Sequence, residues 1–222
     1  MLTVKDIQTQ LYNKLINNEF VTDKTGVKTV EIMNASFIAD RPSIVGTVNH
    51  EYVERELQWY KSMSLNVYDI PEPVPAIWKA VADENGFINS NYGWCIYSED
   101  NGSQFKNVVA ELNRNPDSRR ATMIYNRPSM HQDYNKNGMS DFMCTNAVQY
   151  LVRNGYVNAL VYMRSNDAVF GYKNDFAWQK HVLDQVAEET SIPAGNIYWN
   201  VASLHVYERH FDLITKEIYE RK

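Results

Sequence analysis

The chain has 222 residues, 44% of them apolar and 22% charged, with fifteen tyrosines, a composition that suits one folded domain (residues 1–222) with a substantial core. A net charge of -5 excludes a general nucleic-acid binder, which needs a broad basic surface, but leaves room for a phosphorylated small molecule held by a few local Arg and Lys. Cys95 and Cys144 form no CxxC and no metal-ligand spacing, which excludes a disulfide framework and points to a reduced, intracellular protein.

The opening segment, "MLTVKDIQTQLYNKLINNEF", threads charges among Val4, Ile7, Leu11 and Leu15, which is helical spacing and not a signal peptide. No apolar run reaches the length of a membrane span. "DKTGVKT" reads as a turn with two lysines, ahead of the strand "TVEIMNASFIA". A second helix is expected over about 50 to 63, then a break at "PEPVP" and a short helix in "IWKAVADENG" that ends at Gly86. A third helix, about 103 to 114, puts Phe105, Val108, Val109 and Leu112 on one face. "RNPDSRR" feeds the strand "ATMIY", and a polar loop covers 127 to 141. A hairpin, a helix starting near Asp175 and a last strand, "NIYWNVASLHVY", complete the chain. Helices and strands mix without strict alternation, which predicts an α+β fold with a large mixed, twisted sheet and flanking helices.

The hairpin carries a geometric expectation. Asn154-Gly155 between two apolar runs signals a two-residue type I′ turn, which pairs Arg153 with Tyr156. Counting back along both arms sets Cys144 opposite Ser165 and beside Arg164, and a bulge would shift this by one residue. A guanidinium beside a thiol lowers its pKa. Cys144 is open to three readings: a small buried hydrophobe, the end of a metal loop, or a nucleophile. The metal reading is weak. Asp133, Asn135, Asn137 and Gly138 match the start of a calcium loop, but its last ligand position holds Cys144 and Pro128 interrupts the preceding segment.

Other candidates each have an ordinary reading beside a functional one. Glu56 lies in the face set by Val53, Leu57 and Tyr60, as the margin of a stripe, a structural ion pair or a site carboxylate. Asp175 precedes an apolar-periodic segment, as a helix N-cap would. His205 and Tyr207 share one face of a strand and read as a core pair. Arg119-Arg120 reads as solvated charge, and Cys95 as packing.

Taken in order, "RELQWY", "IWKAVADENG", "NYGW", "NPDSRR", "MCTN", "MRSNDAVFG", "ND" and "SLHVYERH" resemble the thymidylate synthase superfamily. "DKTGVKT", "YNRPSM", "DYNKNGMSDFMCTN" and "NDFAWQK" resemble its branch that hydroxymethylates deoxycytidylate (dCMP) in DNA phages. The likeness runs over roughly residues 20 to 211.

The resemblance implies that Cys144 adds to C6 of the pyrimidine, making C5 an enamine carbon that takes a one-carbon unit from the co-substrate 5,10-methylenetetrahydrofolate. Water then completes a hydroxymethyl group. It implies that Glu56 organises proton transfers, that Tyr92 lies near the reacting pyrimidine, and that Asp167 is catalytic as well. Lys24, Arg164 and Ser165 would hold the phosphate, with Arg119 and Arg120 reaching in from the partner of a homodimer whose sheets pack back to back. His205 and Tyr207 would hold the deoxyribose, and Ile77, Trp78, Asp167 and Gly171 would line the folate site. No metal is implied, and the setting would be cytoplasmic.

Two departures from the synthases point to cytosine. "MCT" replaces Pro-Cys-His at the nucleophile, and Asp175 stands where a synthase has Asn. An Asp accepts from the cytosine amino group and shares a proton with N3, whereas an amide suits uracil. Twelve residues follow His210, fewer than the tail the resemblance implies for the synthases, which closes over the folate. The rival readings are a C5-methyltransferase of dCMP or dUMP on the same scaffold, a nucleotide-binding paralogue without catalysis, and a calcium-binding module.

Overall fold

A computed structural model describes residues 1–22 and 26–219. The elements run β1 (Leu2–Thr3), α1 (Val4–Ile16), β2 (Phe20–Thr22), β3 (Lys28–Ile38), α2 (His50–Ser62), α3 (Ala76–Val81), α4 (Tyr92–Tyr97), α5 (Gln104–Arg114) and β4 (Thr122–Ile124). They continue with α6 (Met130–Asp133), β5 (Thr145–Arg153), β6 (Tyr156–Asp167), α7 (Gly171–Thr190), β7 (Ala194–Tyr207) and α8 (Phe211–Tyr219). The fold is α+β: one mixed seven-stranded sheet in the order β1-β3-β7-β6-β5-β4, with β2 also on β3, flanked by helices. The β6–β7 and β1–β3 pairs are parallel and the others antiparallel. None of the described helices is long and apolar enough to cross a membrane.

Local chemistry explains the main helices. A reciprocal Thr3–Asp6 capping box starts α1, whose Val4, Ile7 and Leu11 are buried at helical spacing. Asn49 caps α2 by accepting the Tyr52 N–H at 3.0 Å, and Met63 closes that helix in a left-handed conformation. Helix α7 packs Tyr172, Gln179, Val182 and Val186 inward, and this stripe runs through position 175.

Three boundaries differ from the sequence reading. The helix expected to end at Gly86 stops at Val81, because the Asp83 carboxylate takes the N–H groups of Asn85 and Phe87 and turns the chain. Helix α7 begins at Gly171, so Asp175 lies inside the helix and is not its cap. The 127-to-141 loop contains α6 and a 3-10 turn, Lys136–Gly138.

The hairpin turn falls at Asn154-Gly155 and pairs Arg153 with Tyr156, as expected. Its register then slips between Thr145 and Ala147, so the Arg164 N–H bonds the Cys144 carbonyl at 2.9 Å. Cys144 therefore sits opposite Arg164 and not Ser165. The same irregularity runs across the sheet. In β6 the buried residues Val161 and Met163 give way to Asn166, leaving two successive residues, Arg164 and Ser165, out of the core. In β7 Val201 gives way to Leu204, and in β3 Ile32 gives way to Ala35, with Asn34 at positive φ. Met163 pairs with Val201 and Val201 with Ala35, so the switches lie side by side. A strand that changes inward parity re-aims every later side chain.

Helices α2 and α4 meet at Gly93. A Cβ there would lie 1.7 Å from the Tyr60 carbonyl oxygen, an impossible approach between two backbones. Gly93→Ala is expected to cost at least about 2 kcal/mol by forcing the helices apart. Thermal melting of the variant beside wild type checks this, and an unchanged melting temperature would refute it.

Candidate active site

The site forms where the loop before β5, the end of β6, α2, α4 and α7 converge. Cys144 is half-buried, and the Arg164 Nη2 approaches its Sγ at 3.6 Å. Arg164 is itself braced by the carbonyls of Met143 at 2.9 Å and Phe142 at 2.7 Å, and lies over the Phe142 ring. These bonds aim the guanidinium at the thiol. Ser165 follows Arg164 at the parity switch and is half-buried.

The guanidinium pulls the thiol down as expected, but the net shift is upward. Burial pushes the Cys144 thiol up to about 11; Arg164 pulls it down, while the nearby carboxyls of Asp175 and Asp141 oppose the charge. Desolvation outweighs a single guanidinium, so the thiol is protonated before any ligand arrives. Cys95, fully buried in α4, is raised to about 12 chiefly by burial and is the packing residue the sequence suggested.

Glu56 faces inward from α2 with 4% exposure. Its Oε1 accepts from the Tyr52 hydroxyl at 2.5 Å and the Trp78 indole N–H at 3.1 Å, and Tyr52 and Trp78 are also bonded to each other. Burial pushes the carboxyl up to about 7, against the two hydrogen bonds. Such a carboxyl gives and takes protons near neutrality. At this burial it is no stripe margin, and among the described residues it is not half of an ion pair. Trp78, expected at the folate site, therefore also positions Glu56, while Ile77 next to it is 64% exposed.

Asp175 enters from α7 and lies within electrostatic reach of Glu56, Cys144 and Tyr92. Burial, then the Glu56 charge, pushes it up to about 7, opposed by hydrogen bonds from Asn166 and Tyr92. Tyr92 is buried, stacks on Tyr60 at 5.2 Å and takes the Thr145 hydroxyl at 3.0 Å. Thr145 and Tyr92 together brace the chain next to Cys144.

Asp167 pairs in register with His205 across β6 and β7, and its carboxylate takes the Val169 N–H at 2.8 Å. His205 and Tyr207 make an edge-to-face pair at 5.0 Å on the half-buried side of β7. Gly171 opens α7 with no side chain to press on Asn166. Arg119 and Arg120 lie exposed on the loop before β4, and Arg120 pairs with Glu111 of its own chain at 3.0 Å. Neither is among the charged groups that bear on Cys144. Lys24 lies outside the described residues.

Asp133 is held by Arg127, Lys136 and Ser129, so its oxygens are engaged without calcium. Among the described residues no His, Cys, Asp or Glu side chains gather in a metal-binding group.

Sequence reasoning missed Tyr52, Asn166 and Asp141. Tyr52 stands four residues before Glu56 on one helix, a spacing that signals contact. Asp141 accepts the N–H groups of Asn89 and Ser90 at 2.7 and 2.8 Å and so anchors the loop that leads to Cys144, which no local pattern reveals.

Residues 8–222 match the thymidylate synthase family model, and the chain belongs to the thymidylate synthase family. It is 58% identical to the deoxycytidylate 5-hydroxymethyltransferase of Enterobacteria phage T4, covering 96% of this chain and 89% of that protein. The enzyme of the same name from Enterobacteria phage T2 gives the same figures. Thymidylate synthase of Buchnera aphidicola subsp. Acyrthosiphon pisum (strain APS) is 27% identical, covering 88% of this chain and 76% of that protein.

The raised carboxyl of Asp175 has a consequence for stability. Unfolded, it ionises near 3.8; folded, near 7. Between those values the folded state holds the extra proton, so this group's contribution is greatest below the lower value and is lost as pH rises through the upper one. Asp175→Asn removes that dependence. Its stability relative to wild type should rise by on the order of 1–3 kcal/mol between about pH 5 and pH 8, allowing for partial solvent access at the cleft. Melts at the two pH values read the change, and a constant difference would show that the carboxyl is not desolvated.

Proposed function

We propose that this protein is a deoxycytidylate 5-hydroxymethyltransferase, in which Cys144 adds covalently to C6 of dCMP and water completes the new group at C5. One observation carries the reading: a desolvated carboxyl, Asp175, and not an amide, stands within reach of the Cys144 thiol and Glu56. The identity to phage enzymes of that name over nearly the whole chain supports it.

Each residue then has a task. The Cys144 thiol must lose its proton as it bonds to C6, and Arg164 beside the sulfur favours the thiolate. Glu56, tuned near neutrality and held by Tyr52 and Trp78, moves protons around the pyrimidine ring. Tyr92 lies at the reacting edge of the base, with Asp167 near it. Asp175 pairs with the amino and N3 edge of cytosine. Ser165 and Arg164, with Lys24, take the phosphate, while His205 and Tyr207 take the deoxyribose hydroxyl.

Methylenetetrahydrofolate, as co-substrate, supplies the one-carbon unit. The indole of Trp78 beside Glu56, with the exposed Ile77 next to it, offers an apolar ledge suited to a pterin ring, and the family resemblance adds Asp167 and Gly171 to the folate site. The work is done in the cytoplasm, host cytoplasm if a phage encodes the chain.

The assembly is a homodimer. Ile124, Ala147, Tyr162, Asn200 and Ser36 form a cross-strand row, none of it buried, across the sheet face away from the core. Such a face suits packing of two sheets back to back. It also gives the exposed Arg119 and Arg120 a neighbouring phosphate to reach.

Incubation with dCMP and methylenetetrahydrofolate, followed by mass spectrometry, should show a gain of CH2O and no accumulation of dihydrofolate. A gain of CH2 with stoichiometric dihydrofolate would make the enzyme a methyltransferase instead. Cys144→Ala should lower turnover at least about a thousandfold while dCMP still binds.

Mixing inactive Arg120→Ala and Cys144→Ala subunits should restore activity through the one heterodimer site that carries both intact residues. If demonstrated heterodimers stay inactive, each site is built from a single chain.

A further inference from the structure

Asn166 is buried at 3% exposure on the core side of β6, just past the parity switch, and no candidate role attaches to it. Its amide makes two bonds. Oδ1 accepts the Trp199 indole N–H at 3.3 Å, and Nδ2 donates to Asp175 Oδ2 at 2.7 Å. An indole nitrogen only donates, so the amide oxygen must face Trp199 and the amide nitrogen must face the carboxyl. Trp199 is fully buried in β7 and holds this orientation. A Cβ on Gly171 would come within 3.1 Å of the same Nδ2, so the start of α7 leaves room for the amide.

This bond acts on the proton of Asp175. A carboxylic acid offers one donor and one acceptor, and by moving its proton between its oxygens it can offer them in either order. Cytosine presents an acceptor at N3 and a donor at its amino group; uracil presents a donor at N3 and an acceptor at O4. An acid free to exchange its proton sites would match both. With Oδ2 committed to accepting from Asn166, the shared proton belongs on Oδ1. The order is then single, whether the proton is drawn on the acid or on N3 of the base.

We propose that Asn166 is a specificity-positioning residue: oriented by Trp199, it sets which oxygen of Asp175 accepts and which carries the proton, and so admits cytosine and rejects uracil. The inference rests on the dCMP reading above. It deepens that reading, because the carboxyl alone does not set the order of donor and acceptor.

The test compares kcat/KM for dCMP and dUMP, read as tritium released from C5 of each labelled nucleotide. Wild type should favour dCMP. Asn166→Ala should lower the dCMP to dUMP ratio at least about tenfold, with the dUMP rate unchanged or increased. Trp199→Phe, which frees the amide to turn over, should move the ratio the same way. A ratio does not depend on how much protein is active, so partial misfolding does not mask the result.

A second readout is the pH profile. Glu56 and Tyr60 from α2, Tyr92 from α4, Asp167 from β6 and Cys144 all face or bear on Asp175. Asn166, like Tyr92, donates to this carboxyl, and its loss removes a donor that favours the ionised acid, so the alkaline limb for dCMP should move to higher pH in Asn166→Ala. A structural role would lower both nucleotides together and leave the limb in place. A ratio within about threefold of wild type in both variants overturns the proposal while the dCMP reading stands. Wild type that turns over dUMP in preference to dCMP overturns both.

Discussion

Burial of Glu56 and Asp175 within range of each other's charge is the constraint on which the rest of the site depends. Loss of water raises both carboxyls, Glu56 through burial and Asp175 through burial and then the Glu56 charge, and brings each to about 7, where proton transfer is most effective. The same desolvation keeps the Cys144 thiol protonated. Each group is then held by donors that limit the penalty: Tyr52 and Trp78 on one carboxyl, Asn166 and Tyr92 on the other. Removing a donor changes both the charge balance and the aim of the group it holds.

The sheet supplies the geometry that this chemistry requires. The parity switch across β3, β7 and β6, beside the register slip between β5 and β6, lifts Arg164 and Ser165 out of the core while returning Asn166 to it. Without the switch, strict alternation would send Asn166 away from Trp199 and Asp175. The irregularity is thus what separates the outward Arg164 and Ser165 from the inward Asn166 on consecutive residues of one strand.

Much of the architecture is legible in the residue order. The capped helices, the Asn154-Gly155 turn and the long strands rest on local rules, so they appear where periodicity and turn chemistry place them. Short elements such as α4 and α8 do not, since six to nine residues give too little period to read. The beginning of α7 was misplaced because Asp175 resembles a cap, while the backbone enters the helix a turn earlier at Gly171.

By itself the sequence determined the class of fold, the family likeness and the identity of the groups that bear chemistry: a thiol, an inward carboxylate, and an aspartate in place of an amide. These follow from residue type and spacing, which are local or are carried by a long ordered set of motifs. Only the tertiary structure decided the state of those groups. Whether Cys144 is a thiol or a thiolate depends on the balance between desolvation and one guanidinium. That Asp175 is no helix cap follows from the helix starting at Gly171, and its protonation depends on burial, on Glu56 from a distant helix and on Asn166, nine residues back along the chain. Such balances are sums over neighbours brought together by folding, and no window of sequence contains them.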